Sequence, residues 1–253
     1  MIYYYENELE DEFSGSNITP KKIDGSYCYL GGLLRKIGRI FWYQIIAKPL
    51  AFLFLKLKYH HKIVNKECLK KARKQGFFLY GNHTNAIADA LIPTMLCHPV
   101  GVHVIVHPDN VSMPILGKIT PCLGALPLPD DKEAMKNFQK AIETLVSKHN
   151  CITIYPEAHI WPYYTGIRNF KDTSFRYPVS CWTPVFCFTN TYQKRKISKT
   201  PQIVTYVDGP FYADKNLSIK EQKIQLHAQV MASMKANCKH SNIELNTYIK
   251  KES

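Results

Sequence analysis

The sequence predicts an α/β fold: a mixed, largely parallel sheet flanked by helices, with an N-terminal helical pair ahead of it. Three observations carry this. Short apolar runs at residues 77–80, 102–106 and 151–155 have strand character, and segments of helical periodicity separate them, as in successive βα units. Residues 77–97 pass from an apolar run through Gly81-Asn82-His83-Thr84-Asn85 into a helical pattern, so a turn with a capping residue joins strand to helix. Residues 30–58 are apolar, basic and rich in helix formers, and stand apart from the alternation that follows.

Taken in order, residues 1–29 are an acidic arm. Glu6, Glu8, Glu10, Asp11 and Glu12 precede Gly, Ser, Asn and Pro, a composition expected to stay solvated or loosely docked. Residues 30–61 place Arg35, Lys36 and Arg39 before an apolar run at 40–47. Lys48-Pro49 separates it from a second run at 50–55, and Lys56 and Lys58 follow. A spanning helix needs about 20 uninterrupted apolar residues. Two shorter helices bent at Pro49 and lying in a lipid headgroup region are therefore expected. Trp42 and Tyr43 suit an interfacial belt, and the lysines suit anionic headgroups. A helical hairpin packed on the core fits the same pattern.

Residues 62–240 form the α/β domain and residues 241–253 a C-terminal tail. Strands are expected at 62–64, 77–80, 102–106, 125–128, 151–155, 183–188 and 203–207. Pro127 and Pro129 confine the 125–128 strand to a sheet edge. Helices are expected at 66–74, 86–97, 114–120, 131–148 and 219–237, the third ending before Pro121. The 131–148 helix carries Ala134, Phe138, Ala141, Ile142 and Leu145 on one face.

The formal charge of +13 over 253 residues points to an anionic partner. No nucleic-acid-binding motif is present, and the basic residues cluster around the apolar stretch, so the expected partner is an anionic membrane surface and not nucleic acid. The eight cysteines show no Cys-x-x-Cys spacing, which favours a reducing compartment. The acidic, tyrosine-rich start lacks the basic-then-apolar order of a secretory leader. The expected location is the cytoplasmic face of a membrane, peripheral or monotopic.

Two strand ends carry chemistry. His83 follows the first strand, where open α/β sheets place ligands. Imidazole accepts a proton near neutral pH, and a carboxylate on its other nitrogen fixes the tautomer. Asp89 lies six residues on, and six helical residues turn about 600°, a net 240°. The two meet only if His83 lies in the loop and Asp89 on the helix. A strand-end histidine beside a capping Asp is an equally simple structural arrangement; the downstream residues favour chemistry. The second strand ends in Tyr155-Pro156-Glu157-Ala158-His159, which puts a carboxylate at the same sheet edge. His60-His61 reads as a surface pair, and His103 and His107 as strand-end residues.

Together these segments resemble the glycerolipid acyltransferase family, best known as 1-acylglycerol-3-phosphate acyltransferases. Asn82-His83 through Asp89 is similar to its Asn-His-x4-Asp block. Pro114-Ile115-Leu116-Gly117 through Leu123-Gly124-Ala125-Leu126 is similar to its Pro-x-x-Gly…Gly-x-x-apolar segment. Tyr155-Pro156-Glu157 is similar to Phe-Pro-Glu-Gly-Thr-Arg, and Phe170-Lys171 with Thr183-Pro184-Val185 to the Phe-Lys-x-Gly…Val-Pro-Val tail. The blocks occur in order across residues 77–190.

The resemblance implies that His83 is a general base oriented by Asp89, acting on the hydroxyl of a lysophospholipid or glycerol-phosphate acceptor. That hydroxyl attacks acyl-CoA or an acyl-carrier-protein thioester directly, with no metal and no other cofactor. It implies substrate-binding roles for Asn82, Gly124 and Glu157. Three departures stand out. Five residues, not four, separate His83 from Asp89; the second block ends without its Arg; and Ala158-His159-Ile160 replaces Gly-Thr-Arg. Both missing arginines serve phosphate recognition, and bidentate Arg–phosphate contacts are not replaced lightly. Arg168, Lys171, Lys132 and Lys118 are the candidate substitutes, and His159 either contacts a headgroup or fills the turn. A non-catalytic lipid- or acyl-carrier-binding relative and a lipid hydrolase remain the alternatives.

Overall fold

The computed structural model describes residues 1–15 and 18–251. Two strands lie outside the main sheet: β1 (Ile2–Tyr5) near the start of the chain, and β9 (Thr247–Lys250) near its end. Between them run β2 (Lys62–Val64), β3 (Phe77–Gly81), β4 (Val102–Val106), β5 (Ala125–Pro127), β6 (Cys151–Ile154), β7 (Val185–Gln193) and β8 (Gln202–Phe211). These seven form one sheet in the order β2-β8-β7-β3-β6-β4-β5. Every pair is parallel except β7–β8. The architecture is therefore the mixed, largely parallel α/β sheet that the sequence predicts, with the proline-bearing β5 at one edge.

The central strand explains the layering. β3 reads Phe77-Phe78-Leu79-Tyr80-Gly81 and is buried throughout, as expected of a parallel strand covered on both faces. Its side chains alternate. Phe78 and Tyr80 join Ile152, Val185 and Cys187 under the helices Lys132–Ser147 and Ile219–Cys238. Phe77 and Leu79 join Phe186 and Phe188 under the helix Ala86–Cys97. Leu55 and Tyr59 bury against this second face, so the end of the apolar N-terminal stretch is anchored in the core.

Four expectations are corrected. Residues 30–58 are not two helices interrupted at Pro49. Leu33–Tyr59 is one helical run of 27 residues, long and apolar enough to cross a membrane by length and composition. Its middle, Arg39–Ala47, is wound as a π-helix, and Pro49 falls in the first turn of the α-helix that follows. Leu34, Ile37, Phe52 and Leu57 are 85%, 54%, 61% and 65% exposed, so much of the run presents uncovered apolar surface.

Pro121 does not end its helix either; it lies inside Leu116–Leu123. A proline leaves the carbonyl four residues earlier without its donor. Here that carbonyl, on Gly117, accepts the Thr120 hydroxyl at 3.3 Å. Residues 66–74 are 3-10 turns over Lys66–Ala72 and not an α-helix.

The acidic arm and the C-terminal tail are docked. β1 pairs in parallel with β9, from Ile2 opposite Thr247 to Tyr5 opposite Lys250. Tyr3, Tyr5, Phe13, Trp161 and Tyr248 form a ring cluster under this pair. Residues 16 and 17 of the arm lie outside the described residues.

Candidate active site

The site is built at the carboxyl ends of β3 and β6. Gly81 closes β3, where a Cβ would come within 2.2 Å of the Phe188 ring. The chain then turns, and Asn85 caps the helix Ala86–Cys97 by accepting from Ala88 N at 3.0 Å. This leaves His83 in the loop and Asp89 on the first helical turn. His83 Nδ1 and Asp89 Oδ2 lie 3.0 Å apart, so the loop absorbs the extra residue of spacing.

Asp89 is 1% exposed and fully engaged. Its Oδ2 accepts from Thr84 N and Asn85 N, each at 2.8 Å, as well as from the imidazole. Its Oδ1 accepts Asn190 Nδ2 at 3.1 Å. The positive end of the helix also favours the carboxylate there. An acceptor-only carboxylate facing Nδ1 requires that nitrogen to carry the proton. Nε2 is then the basic nitrogen, and it has no protein partner among the described residues. The His83 side chain is 18% exposed.

Pro93 contributes from within the helix. It has no N–H to offer the carbonyl of Asp89, four residues earlier. The Tyr155 hydroxyl donates to that carbonyl instead. The Tyr155 ring in turn stacks on His83, centroids 4.5 Å apart and planes at 21°. The Asp89 carboxylate and the Tyr155 ring thus hold the imidazole, and Pro93 leaves open the carbonyl that anchors Tyr155. Burial, and then the Asp89 charge, push the Tyr155 hydroxyl well above its ordinary pKa, so it stays a neutral donor.

Glu157, at the end of β6, points at the same loop. Its Oε2 accepts His83 N at 3.0 Å and its Oε1 accepts Arg168 N at 3.0 Å. The Arg168 guanidinium completes a buried ion pair, with Nη2 3.3 Å from Glu157 Oε2. Burial raises the Glu157 carboxyl above its usual range; Arg168 and the two amide bonds oppose the shift. Ala158, where the family resemblance expects glycine, keeps a left-handed backbone at φ +63°. The turn survives at a cost of roughly 1 kcal/mol for the added Cβ.

The other expected site residues fare differently. Asn82 is buried and spends its amide on backbone: Oδ1 accepts Asn190 N at 2.8 Å and Nδ2 donates to Asn190 O at 3.0 Å. It clamps the end of β3 to β7 and is 1% exposed. Gly124 is a helix terminus at φ +104°, and a Cβ there would approach Val102 O to 2.4 Å. It precedes the residue of β5 that pairs with Val104, whereas His83 lies beyond the far end of β3. The sheet thus holds Gly124 away from His83. Lys171 is exposed, on the loop before the 3-10 turn Asp172–Phe175.

Arg168 is fully buried, donating to Glu157, to His159 O and to Glu8 O. Its two terminal nitrogens are thus spent within the protein, while its buried Nε has no hydrogen-bond partner among the described residues. His159 Nδ1 lies 3.4 Å from Glu12 Oε2.

The acidic arm reaches this corner. Glu12 accepts Ile160 N at 3.1 Å, Glu8 accepts Asn169 N at 3.0 Å, and Trp161 Nε1 donates to Asp11 O at 2.8 Å. Glu8 and Glu12 thus rest on the loop that carries Glu157, while Glu6 and Glu10 are exposed. Sequence reasoning also missed Asn190. Its signal was the polar triplet Thr189-Asn190-Thr191 inside a strand otherwise reading as core; all three are buried. Most buried polar groups are hydrogen-bonded; Asn190 and Thr191 are, while the Thr189 hydroxyl has no partner among the described residues.

No protein-family model matches the sequence, and a search of curated proteins finds no match either. Among solved structures, the chain is similar to the crystal structure of the 1-acyl-sn-glycerophosphate (LPA) acyltransferase PlsC from Thermotoga maritima. The two are 16% identical with a TM-score of 0.51, over 82% of this chain and 94% of that one. At this identity the likeness is one of fold, and it supports the resemblance to glycerolipid acyltransferases: both chains share a mixed α/β sheet flanked by helices.

Proposed function

We propose that the protein is an O-acyltransferase that moves a fatty acyl group from a thioester to the hydroxyl of a lysolipid or glycerol-phosphate-type acceptor. The observation that carries this reading is the His83–Asp89 pair: Nδ1 is held by a fully bonded carboxylate and Nε2 is left open. The shared fold with an LPA acyltransferase adds support.

In the proposed reaction Nε2 takes the acceptor's hydroxyl proton as its oxygen attacks the thioester carbonyl. The tetrahedral intermediate collapses to the ester and expels the thiolate. Nε2–H returns the proton to sulfur. Asp89 stabilises the transient imidazolium and stays ionised. Glu157, bonded to His83 N, holds the loop that presents the imidazole. No serine or cysteine is bonded to His83 among the described residues, which favours direct transfer over an acyl-enzyme.

The donor is an acyl-CoA or an acyl-carrier-protein thioester. The acceptor's headgroup has to be bound without Arg168, which the protein already uses. The test is to incubate the protein with acyl thioesters and a panel of lysolipids and glycerol phosphates, and to follow products by mass spectrometry. A new ester establishes acyl transfer and identifies the acceptor. Free fatty acid without ester indicates a hydrolase, and lipid binding without turnover a non-catalytic relative.

The exposed apolar face of Leu33–Tyr59, with Lys36, Lys56 and Lys58 beside it, is proposed to dock on an anionic membrane. Substituting both Leu34 and Ile37 by Asp is expected to weaken co-sedimentation with anionic liposomes at least about tenfold, given the cost of bringing charge into the bilayer. Raising the salt should weaken wild-type binding as well. Undiminished binding of the double variant would overturn the docking surface.

A further inference from the structure

The His83–Asp89 pair is the end of a longer chain of hydrogen bonds. Asn190 lies on β7 directly opposite Thr205 on β8, and Thr205 pairs with Ile63 of β2. Asn190 Nδ2 donates to Asp89 Oδ1 at 3.1 Å, and Asn190 Oδ1 accepts the Thr205 hydroxyl at 2.7 Å. The Thr205 oxygen lies 2.8 Å from His61 Nε2. Asn82 grips the backbone of Asn190 on both sides, so the amide has a fixed origin. Asp89, Asn190 and Thr205 are all essentially excluded from solvent.

The direction of every proton follows. Asp89 only accepts, so Asn190 must turn its NH2 toward it and its carbonyl toward Thr205. Thr205 then spends its one proton on that carbonyl and must accept from its remaining partner. His61 therefore carries a proton on Nε2. Burial, with Lys66 and Lys56 nearby, lowers its pKa to about 4, consistent with a neutral ring. His61 is thus not half of a surface pair. It stands two residues beyond Tyr59, whose hydroxyl accepts Asn85 Nδ2 at 3.2 Å.

We propose that Asn190, Thr205 and His61 are positioning residues that fix the plane of the Asp89 carboxylate and, through it, the orientation of the His83 imidazole. The proposal rests on the reading of His83 as general base. The amide bonds from Thr84 and Asn85 bind one carboxylate oxygen; Asn190 alone holds the other, and two fixed oxygens define the plane. An Asn freed from Thr205 can rotate its amide, and a carboxylate released on Oδ1 can swing the ring it holds. Misplacement of a catalytic group by a fraction of an ångström is felt in turnover more than in binding.

The test compares Thr205→Val, which keeps shape and removes the hydroxyl, with Thr205→Ser, which restores it. Thr205→Val is expected to lower kcat about tenfold with the acceptor KM within about twofold, and Thr205→Ser to recover most of the loss. His61→Leu and His61→Gln provide a second pair near the surface, where folding is safer; Gln restores a donor. Ring 15N shifts of His83 are read in parallel in protein labelled at histidine. They should move in Thr205→Val and return in Thr205→Ser.

Wild-type kcat with unmoved His83 shifts in both donor-deleting variants overturns the relay, as does an equal loss in Thr205→Ser. If no acceptor is turned over even by the wild type, the acyltransferase reading fails separately. The 15N shifts then decide the relay: movement in the donor-deleting variants alone upholds it, and its absence overturns it.

Discussion

Replacing His83 by alanine is expected to cut acyl transfer by about 10²-fold or more, the low end for loss of a general base. The fold should survive. The variant loses the stack on Tyr155 and one bond to Asp89, while Asp89 keeps its bonds from Thr84 N, Asn85 N and Asn190 Nδ2. The backbone bond from residue 83 to Glu157 is also retained. The thermal midpoint should therefore stay within a few degrees of wild type, which separates a chemical defect from a folding one. Turnover near the wild-type level in a folded variant would sink the mechanism.

The second large effect falls on stability. Arg168→Met strips the guanidinium from a carboxylate that is 3% exposed, and also removes the bonds to His159 O and Glu8 O. Breaking a buried pair from one side leaves an uncompensated charge, at a cost of about 3–5 kcal/mol. That is a large share of the stability of an ordinary domain. The loss should appear as a lower midpoint in urea denaturation. Adding Glu157→Gln should recover part of it, because the orphaned charge is gone and the amide oxygen still accepts one backbone N–H. A single variant within about 1 kcal/mol of wild type would mean that the pair is not the structural element its burial implies.

On the proposed acyltransferase reading, a buried arginine already held by Glu157 leaves the acceptor's headgroup to other residues, and the arm's Glu8 and Glu12 lie beside the same loop.

Much of the sheet was legible because its strands are short apolar runs bounded by turns, and because β3 and β6 end in residues with no role in a core. The spacing of His83 and Asp89 lets them meet only with His83 in the loop and Asp89 on the helix, and that is the arrangement found. Other features depend on contacts that sequence patterns do not encode. Nothing in the sequence pattern marks the role of Pro93, which frees the Asp89 carbonyl for Tyr155. Asn190 sits about a hundred residues from Asp89 and is brought to it only by the β3–β7 pairing. The arm's acidic composition reads as solvated, but Glu8 and Glu12 find backbone amides of the Glu157 loop. Arg168 and His159 could be placed near a turn, not told apart as a buried cation and a partly exposed ring.

The pairing of β1 with β9 has a consequence for the order of events at the ribosome. Ile2 leaves the exit tunnel long before its partner Thr247, so the strand waits, unpaired, while the chain between them is made. The remaining sheet can assemble from residues 62–211 during that time. Closing a loop of this length adds a logarithmic entropy penalty to the pairing, so the strap should also be the first part to detach in the finished protein. The Glu157 loop is thus sealed last and unsealed first, and its amides should exchange with solvent more readily than those of β3, which lies a few ångströms away.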